Sequence, residues 1–255
     1  MRTLKLVLSY DGTAYAGWQV QPQCQTVQGV LEAAIEKITG RGARTVASGR
    51  TDAGVHALGQ VVAFSTESEL PADVLQRALN AELPRDVAVR EVTEAPDGFH
   101  PIRDAVRKRY RYVIHDGRVR DVFERQYCWH YVRGRLDADA MNRASQALLG
   151  RHDFSSFESS GAERENSVRT VFDISVERGR AGRSDRTVMD QIFLEVEADG
   201  FLYNMVRAIV GTLVEVGRGA QRETWPAEVL RAVDRAAAGP TAPPQGLFLL
   251  RVDYG

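Results

Sequence analysis

The sequence predicts an α+β chain of two mixed halves, residues 1–105 and 106–255. Three observations predict it. Short runs rich in β-branched residues alternate with amphipathic helical stretches, the mixture occurs twice, and 44% apolar content over 255 residues is enough for two modest cores. No short fixed period marks a repeat array. Residues 4–10 read as a strand. Thr26 then caps a helix with apolar residues at Val27, Val30, Leu31, Ala34, Ile35 and Ile38, and Gly40 stops it. Strands near 43–48 and at 60–66 flank a loop around Asp52, a helix runs from Pro71 to about Asn80, and a strand at 87–93 closes the first half.

The second half repeats the mixture. Strands at 108–115 and near 127–132 precede a helix after Asp137 that carries Met141, Ala144 and Leu148. Strands near 168–177 and 189–198, a helix at 201–216, a shorter helix after Pro226 and a strand at 247–253 complete it. Two such halves facing one another would leave a cleft between their sheets. Arg118–Arg125, Glu158–Asn166 and Gly179–Arg186 read as loops, rich in charge or in Gly and Ser, that either contact a ligand or move.

The formal net charge of −1 conceals an asymmetry. Between Arg103 and Arg135 there are ten basic residues against four acidic ones, while the remainder carries 23 basic and 30 acidic residues. A concentrated positive stretch suits a surface that tracks phosphates, and it also suits a plain solvated face. No apolar run approaches the roughly 20 residues of a membrane span, and MRTLKLVLSYDGT reads as strand and turn, not a leader, so a cytoplasmic location is expected. Cys24 and Cys128 form neither a CxxC pair nor a disulfide framework. The histidines at 56, 100, 115, 130 and 152 show no metal-ligand spacing. No metal is expected, and without GxGxxG or GxxxxGK[ST] no nucleotide cofactor is expected either. Tyr10-Asp11-Gly12-Thr13 is similar to the haloacid-dehalogenase Asp-x-Asp-Gly-Thr motif, but Ser9 stands where the nucleophilic aspartate is required.

The chemistry-bearing stretch is Gly49-Arg50-Thr51-Asp52-Ala53-Gly54-Val55-His56-Ala57. It sets one carboxylate, Asp52, in a glycine-flanked loop just before a strand, with Arg50 two residues away. Such a loop presents a reactive group, or it is a turn in which Asp52 accepts backbone hydrogen bonds. Arg207 sits within the apolar helix at 201–216 and requires a carboxylate partner, with Asp52 across the cleft, Glu195 and Glu215 as candidates. Tyr110 and Tyr112 share one face of a strand, to stack on a base or to pack in the core, and Arg109 and Arg111 share the other.

Taken whole, Gly49–Ala57 resembles the signature of the TruA family of tRNA pseudouridine synthases. The resemblance extends through Tyr10–Gln19, Asn80–Val87, Phe99-His100, Lys108–Tyr112, Leu149–Phe154, Met205–Thr212 and Gly239–Pro243, in that order. It departs once: where the family has Phe-His-x-Arg, this chain reads Phe99-His100-Pro101-Ile102, and Arg103 comes one residue late. The resemblance implies two ferredoxin-like halves around an active-site cleft, a homodimer, and isomerisation of uridine at tRNA nucleotides 38, 39 and 40. It implies Asp52 as the catalyst, paired with Arg207, and Arg50 and Tyr110 as substrate-binding residues, with Tyr112 in the core. Arg103, Arg109 and Arg111 are the expected RNA-binding arginines. Asp52 would attack C1′ of the sugar, attack C6 of the base, or act as a base on the sugar. A non-catalytic RNA-binding protein using the same basic cleft is the alternative from another class.

Overall fold

The computed structural model describes residues 1–159, 166–179 and 190–255. Most of the expected loops at 158–166 and 179–186 therefore lies outside the described residues. The chain is mixed α+β and divides into two compact units, Met1–Val106 with Phe248–Gly255, and Arg107–Leu247.

In the first unit, β1 (Arg2–Tyr10), α1 (Val27–Thr39), β2 (Val46–Ala47), β3 (His56–Thr66), α2 (Ala72–Glu82) and β4 (Val87–Glu94) follow one another. β1 lies between β3 and β4, antiparallel to both, and β2 joins β3 antiparallel. Alternation in β1 buries Leu4, Leu6, Leu8 and Tyr10 on one face. α1 begins where the Thr26 hydroxyl accepts from Gly29 N at 3.2 Å, and it ends at Gly40 with φ +72°. The last strand, β10 (Leu247–Tyr254), runs parallel to β3 with Phe248 opposite His56. The final strand groups with the first unit, because a strand's place follows its hydrogen-bonded neighbour, which alternation alone does not identify.

The second unit contains β5 (Ala105–His115), β6 (Trp129–His130), α3 (Ala138–Ser145), β7 (Gly150–Asp153), β8 (Val168–Arg178), β9 (Gln191–Ala198), α4 (Met205–Gly217) and α5 (Trp225–Ala232). Its strands lie in the order β5-β9-β8-β7, antiparallel where paired, and β6 lies parallel to the end of β5. Tyr112, Leu194, Val196, Met141 and Ile209 belong to its core. Two elements are shorter than expected: the strands near 43–48 and 127–132 reduce to two residues each. α4 starts at Met205 and not at 201, because Asn204 takes a left-handed conformation, φ +61°, through which an α-helix cannot run.

One buried ion pair fastens the second unit. The Asp116 side chain is fully buried, receives two bonds from Arg178 at 2.8 and 2.6 Å and accepts from Leu136 N at 2.8 Å. Burial works against the charge, but the Arg178 guanidinium and the Leu136 amide hold the Asp116 carboxyl below the usual carboxylate range. Its stabilising contribution is therefore whole above the unfolded carboxylate's value and is lost as pH falls through the lower folded one. Asp116→Asn should cost about 3 kcal/mol in urea unfolding at neutral pH. It should also show a smaller loss of stability than the parent chain on acidification below about pH 4.

Candidate active site

Asp52 lies in the loop between β2 and β3, at the end of the first unit's sheet where Tyr10 of β1 faces Ala57 of β3. The loop's shape is imposed by its neighbours. Trp18 N donates to Thr51 O at 2.9 Å, Val55 N closes on Asp52 O at 3.1 Å, and the Tyr10 hydroxyl bonds the buried Thr51 hydroxyl at 2.8 Å. Gln60 grips the approach: it accepts from the Ser48 hydroxyl at 2.7 Å and donates to Gly49 O at 2.8 Å. Burial pushes the Tyr10 phenol up to about 12, against the pull of Thr51 and Gln60, so it stays a neutral hydrogen-bonding strut.

Residues 11–18 press directly on this loop. A Cβ on Gly12 would lie 2.0 Å from Val55 O, and one on Gly17, whose φ is +95°, would lie 2.7 Å from Thr51 O. Only glycine permits that approach. His56 is buried and stacks on Phe248 at 4.7 Å. Its Nδ1 lies 3.1 Å from both Gly12 N and Asp11 Oδ1. A bare Nδ1 accepts from the Gly12 amide, and a protonated one donates to the carboxylate, so either form ties residues 11–12 to β3. The result is a half-buried Asp52 carboxylate on a rigid mount, with Arg50 exposed two residues away and without a bonded partner among the described residues.

In the second unit, Tyr110 is 9% exposed and meets Phe201 edge-on at 5.0 Å. Tyr112 is fully buried and donates its hydroxyl to Pro243 O at 2.7 Å. Arg207 is half-buried, bonding Ala242 O through Nε at 2.7 Å and Asn204 Oδ1 through a terminal nitrogen at 2.7 Å. The segment 239–243 that supplies these carbonyls is itself pinned. Gly239 N donates to the Thr212 hydroxyl at 2.9 Å, and a Cβ on Gly211 would meet Pro240 O at 1.6 Å. Glu195 is taken by Arg109 and Arg111, and Glu215 pairs with Arg218.

The three expected RNA-binding arginines have neighbours of their own. Arg109 bonds Glu195, Glu197 and Asp173 at 2.9, 3.0 and 2.6 Å. Burial opposes its charge, but the three carboxylates outweigh that and hold the guanidinium protonated. Arg111 binds Glu195 on the same face of β5, opposite Tyr110 and Tyr112. Arg103 closes its own turn, donating to Gly98 O at 2.7 Å and Asp104 at 2.9 Å, while Ile102 beside it is exposed. The Cys128 thiol is buried and pushed up to about 11, chiefly by burial, so it is an inert thiol. Among the described residues no group of three His, Cys, Asp or Glu could hold a metal ion.

Residues 6–102 and 144–255 match the family model described as tRNA pseudouridine synthase. The chain belongs to the tRNA pseudouridine synthase family. Relatives called tRNA pseudouridine synthase A share its full length: 48% identity with that of Moorella thermoacetica, 46% with that of Brevibacillus brevis and 44% with that of Thermoanaerobacter sp. strain X514. In each case the match covers all of both chains. In this tRNA pseudouridine synthase family member, single-residue reasoning had missed Tyr10, Gly12, Gly17, Trp18 and Gln60 as parts of the site. The signal for Gly12, Gly17 and Trp18 was the YDGTAYAGWQ string itself, with two glycines and a tryptophan in one short loop, whereas Tyr10 and Gln60 lie on strands and carry no such signal.

Gly17→Ala should leave the chain folded but distort the Asp52 mount, lowering any activity of that carboxylate by about 100-fold or more, as a displacement near 1 Å does. Circular dichroism and a single-turnover assay would check it. Tyr10→Phe, which strips the Thr51 hydroxyl of its partner, should cost about 1 kcal/mol in unfolding free energy.

Proposed function

We propose that this chain isomerises uridine to pseudouridine in tRNA, at nucleotides 38, 39 and 40 of the anticodon stem-loop, with Asp52 as its catalytic residue. The observation that carries the reading is the Asp52 mount: a single half-exposed carboxylate in a loop held by the buried Tyr10 and Gln60 side chains. The full-length likeness to tRNA pseudouridine synthases supplies the substrate. A tRNA substrate makes the cytoplasm the place of work. The reaction breaks the N1–C1′ bond, turns the base and joins C5 to C1′. The proton on C5 is released and N1 gains one. No electron changes hands, so a well-placed carboxylate and enforced positioning suffice.

A stem uridine must leave its stack before its glycosidic bond can be reached. Arg50 is proposed to hold the extruded nucleotide, Tyr110 to lie against its base, and Arg207, oriented by Asn204 and Ala242, to face its charge. Arg103 is proposed to reach RNA phosphate from its turn. Arg109 and Arg111 would do so only in competition with their carboxylates, so their part is the smaller. The antiparallel order β4-β1-β3-β2, with a helix after β1 and after β3, supports a ferredoxin-like first unit. The second half and a homodimer are proposed on the same family likeness.

Tritium release from tRNA transcribed with 5-tritiated uridine tests the reading. The parent chain should release tritium, and Asp52→Asn and Asp52→Ala should release less than about a thousandth as fast while still binding tRNA. Transcripts keeping a uridine at only one of positions 38, 39 or 40 should each react. A parent chain that binds tRNA and releases nothing would leave the non-catalytic RNA-binding reading.

A further inference from the structure

Residues 117–135, between β5 and α3, form an arm that the catalytic proposal does not use. Its base is fastened by buried groups. The His115 ring, 2% exposed, lies with Nε2 2.8 Å from Val119 O, and His130 Nε2 is 3.0 Å from Gly117 O. Tyr131 N donates to His115 O at 2.8 Å, and Gly117 is so closely packed that a Cβ would lie 2.6 Å from Asp190 Oδ2. Further out, Asp121 Oδ1 accepts from Phe123 N at 2.8 Å and Glu124 N at 3.1 Å, and Tyr127 N returns to Glu124 O at 2.8 Å. These bonds give the arm a fixed shape.

What it presents is unusual for a free surface. Phe123 is 85% exposed and Val119 77%. Arg118 and Arg120 alternate with them, exposed and without a bonded partner among the described residues, as is Arg133. Asp121, next to Arg120 in sequence, accepts from two amides of the turn through Oδ1. An open aromatic face beside unpaired guanidinium groups is the combination that holds a single-stranded nucleic acid: the ring stacks on a base and the arginines take the phosphates on either side. A second copy of the chain is a poor occupant, since a two-fold contact through the arm would bring like charges together.

We propose that the 117–135 arm grips an unpaired stretch of the tRNA, with Phe123 stacked on a base and Arg118 and Arg120 on neighbouring phosphates. This rests on the tRNA reading above and adds a binding element separate from the Asp52 mount. Filter binding of a tRNA transcript to the full chain tests it, with single-turnover tritium release at saturating tRNA measured beside it. Phe123→Ala should weaken binding about tenfold. Phe123→Trp should restore it, and Phe123→Leu should not. Arg118→Ala with Arg120→Ala should flatten the slope of log affinity against log salt by about 1.5. The saturated single-turnover rate should stay within about twofold, because the arm binds and does not react. Unchanged affinity in Phe123→Ala, or full affinity in Phe123→Leu, overturns the proposal. So does a Phe123→Ala chain that changes its oligomeric state in sedimentation while binding RNA normally, which would give the arm to a second copy. If the parent chain releases no tritium but loses binding on Phe123→Ala, the isomerase reading fails and the arm stands.

Discussion

Two backbones in contact determine the geometry around Asp52. Residues 11–18 and 51–55 approach so closely that neither Gly12 nor Gly17 has room for a Cβ, and the carboxylate's position follows from that approach. The constraint reaches outward through groups far from the loop. Asp86 accepts the Tyr15 hydroxyl at 2.6 Å and, through its carbonyl, the Asp11 amide at 2.9 Å. The turn that carries Asp86 is held in turn by Asn80, whose carboxamide exchanges two 2.8 Å bonds with the Val89 backbone. The Asn80–Val87 string therefore acts on Asp52 at third hand, by fixing what presses on it.

The second unit uses the same device. Gly211 stands in the interior of α4, where a glycine costs about 1 kcal/mol relative to alanine. It is tolerated because Pro240 O occupies the space a methyl group would need. That contact brings residues 239–243 alongside the helix, so that Ala242 and Pro243 carbonyls can take Arg207 Nε and the Tyr112 hydroxyl. In both units a charged or polar group is aimed by backbone carbonyls and amides, which move less than side chains. Such mounting suits a task in which position carries most of the catalysis.

Much of this was legible in the sequence, and what escaped it did so for physical reasons. The α1 helix was readable at both ends because Thr26 and Gly40 act locally, through a hydroxyl on Gly29 N and a positive φ. The start of α4 was not: apolar Phe201 and Leu202 continue the helical pattern, and only the left-handed Asn204 stops it, so that its carboxamide can bond Arg207. The placement of β10 depends on a parallel pairing across the length of the chain, which no local pattern encodes. Asp52 could be singled out from its nine-residue string, but its supports, Tyr10 and Gln60, lie on two strands and look like ordinary core positions.

The positive stretch from Arg103 to Arg135 shows why counting charge is a poor guide to where RNA would lie. Its first part is neutralised from within: β5 presents Arg107, Arg109 and Arg111 directly to Glu195 and Glu197 of β9 and, for Arg109, Asp173 of β8. Of these, Arg109 and Arg111 were expected to meet phosphate because sequence records their alternation, and cross-strand register decides what stands opposite. Their charge mostly holds the strands together. The second part, on the arm, is compensated far less. Arg118 and Arg120 lie beyond any strand, so no register assigns them an acid, and both stand exposed to solvent. A polyanion approaching this chain feels the difference between the two parts, although a net charge of −1 and a local count of ten arginines and lysines hide it equally well.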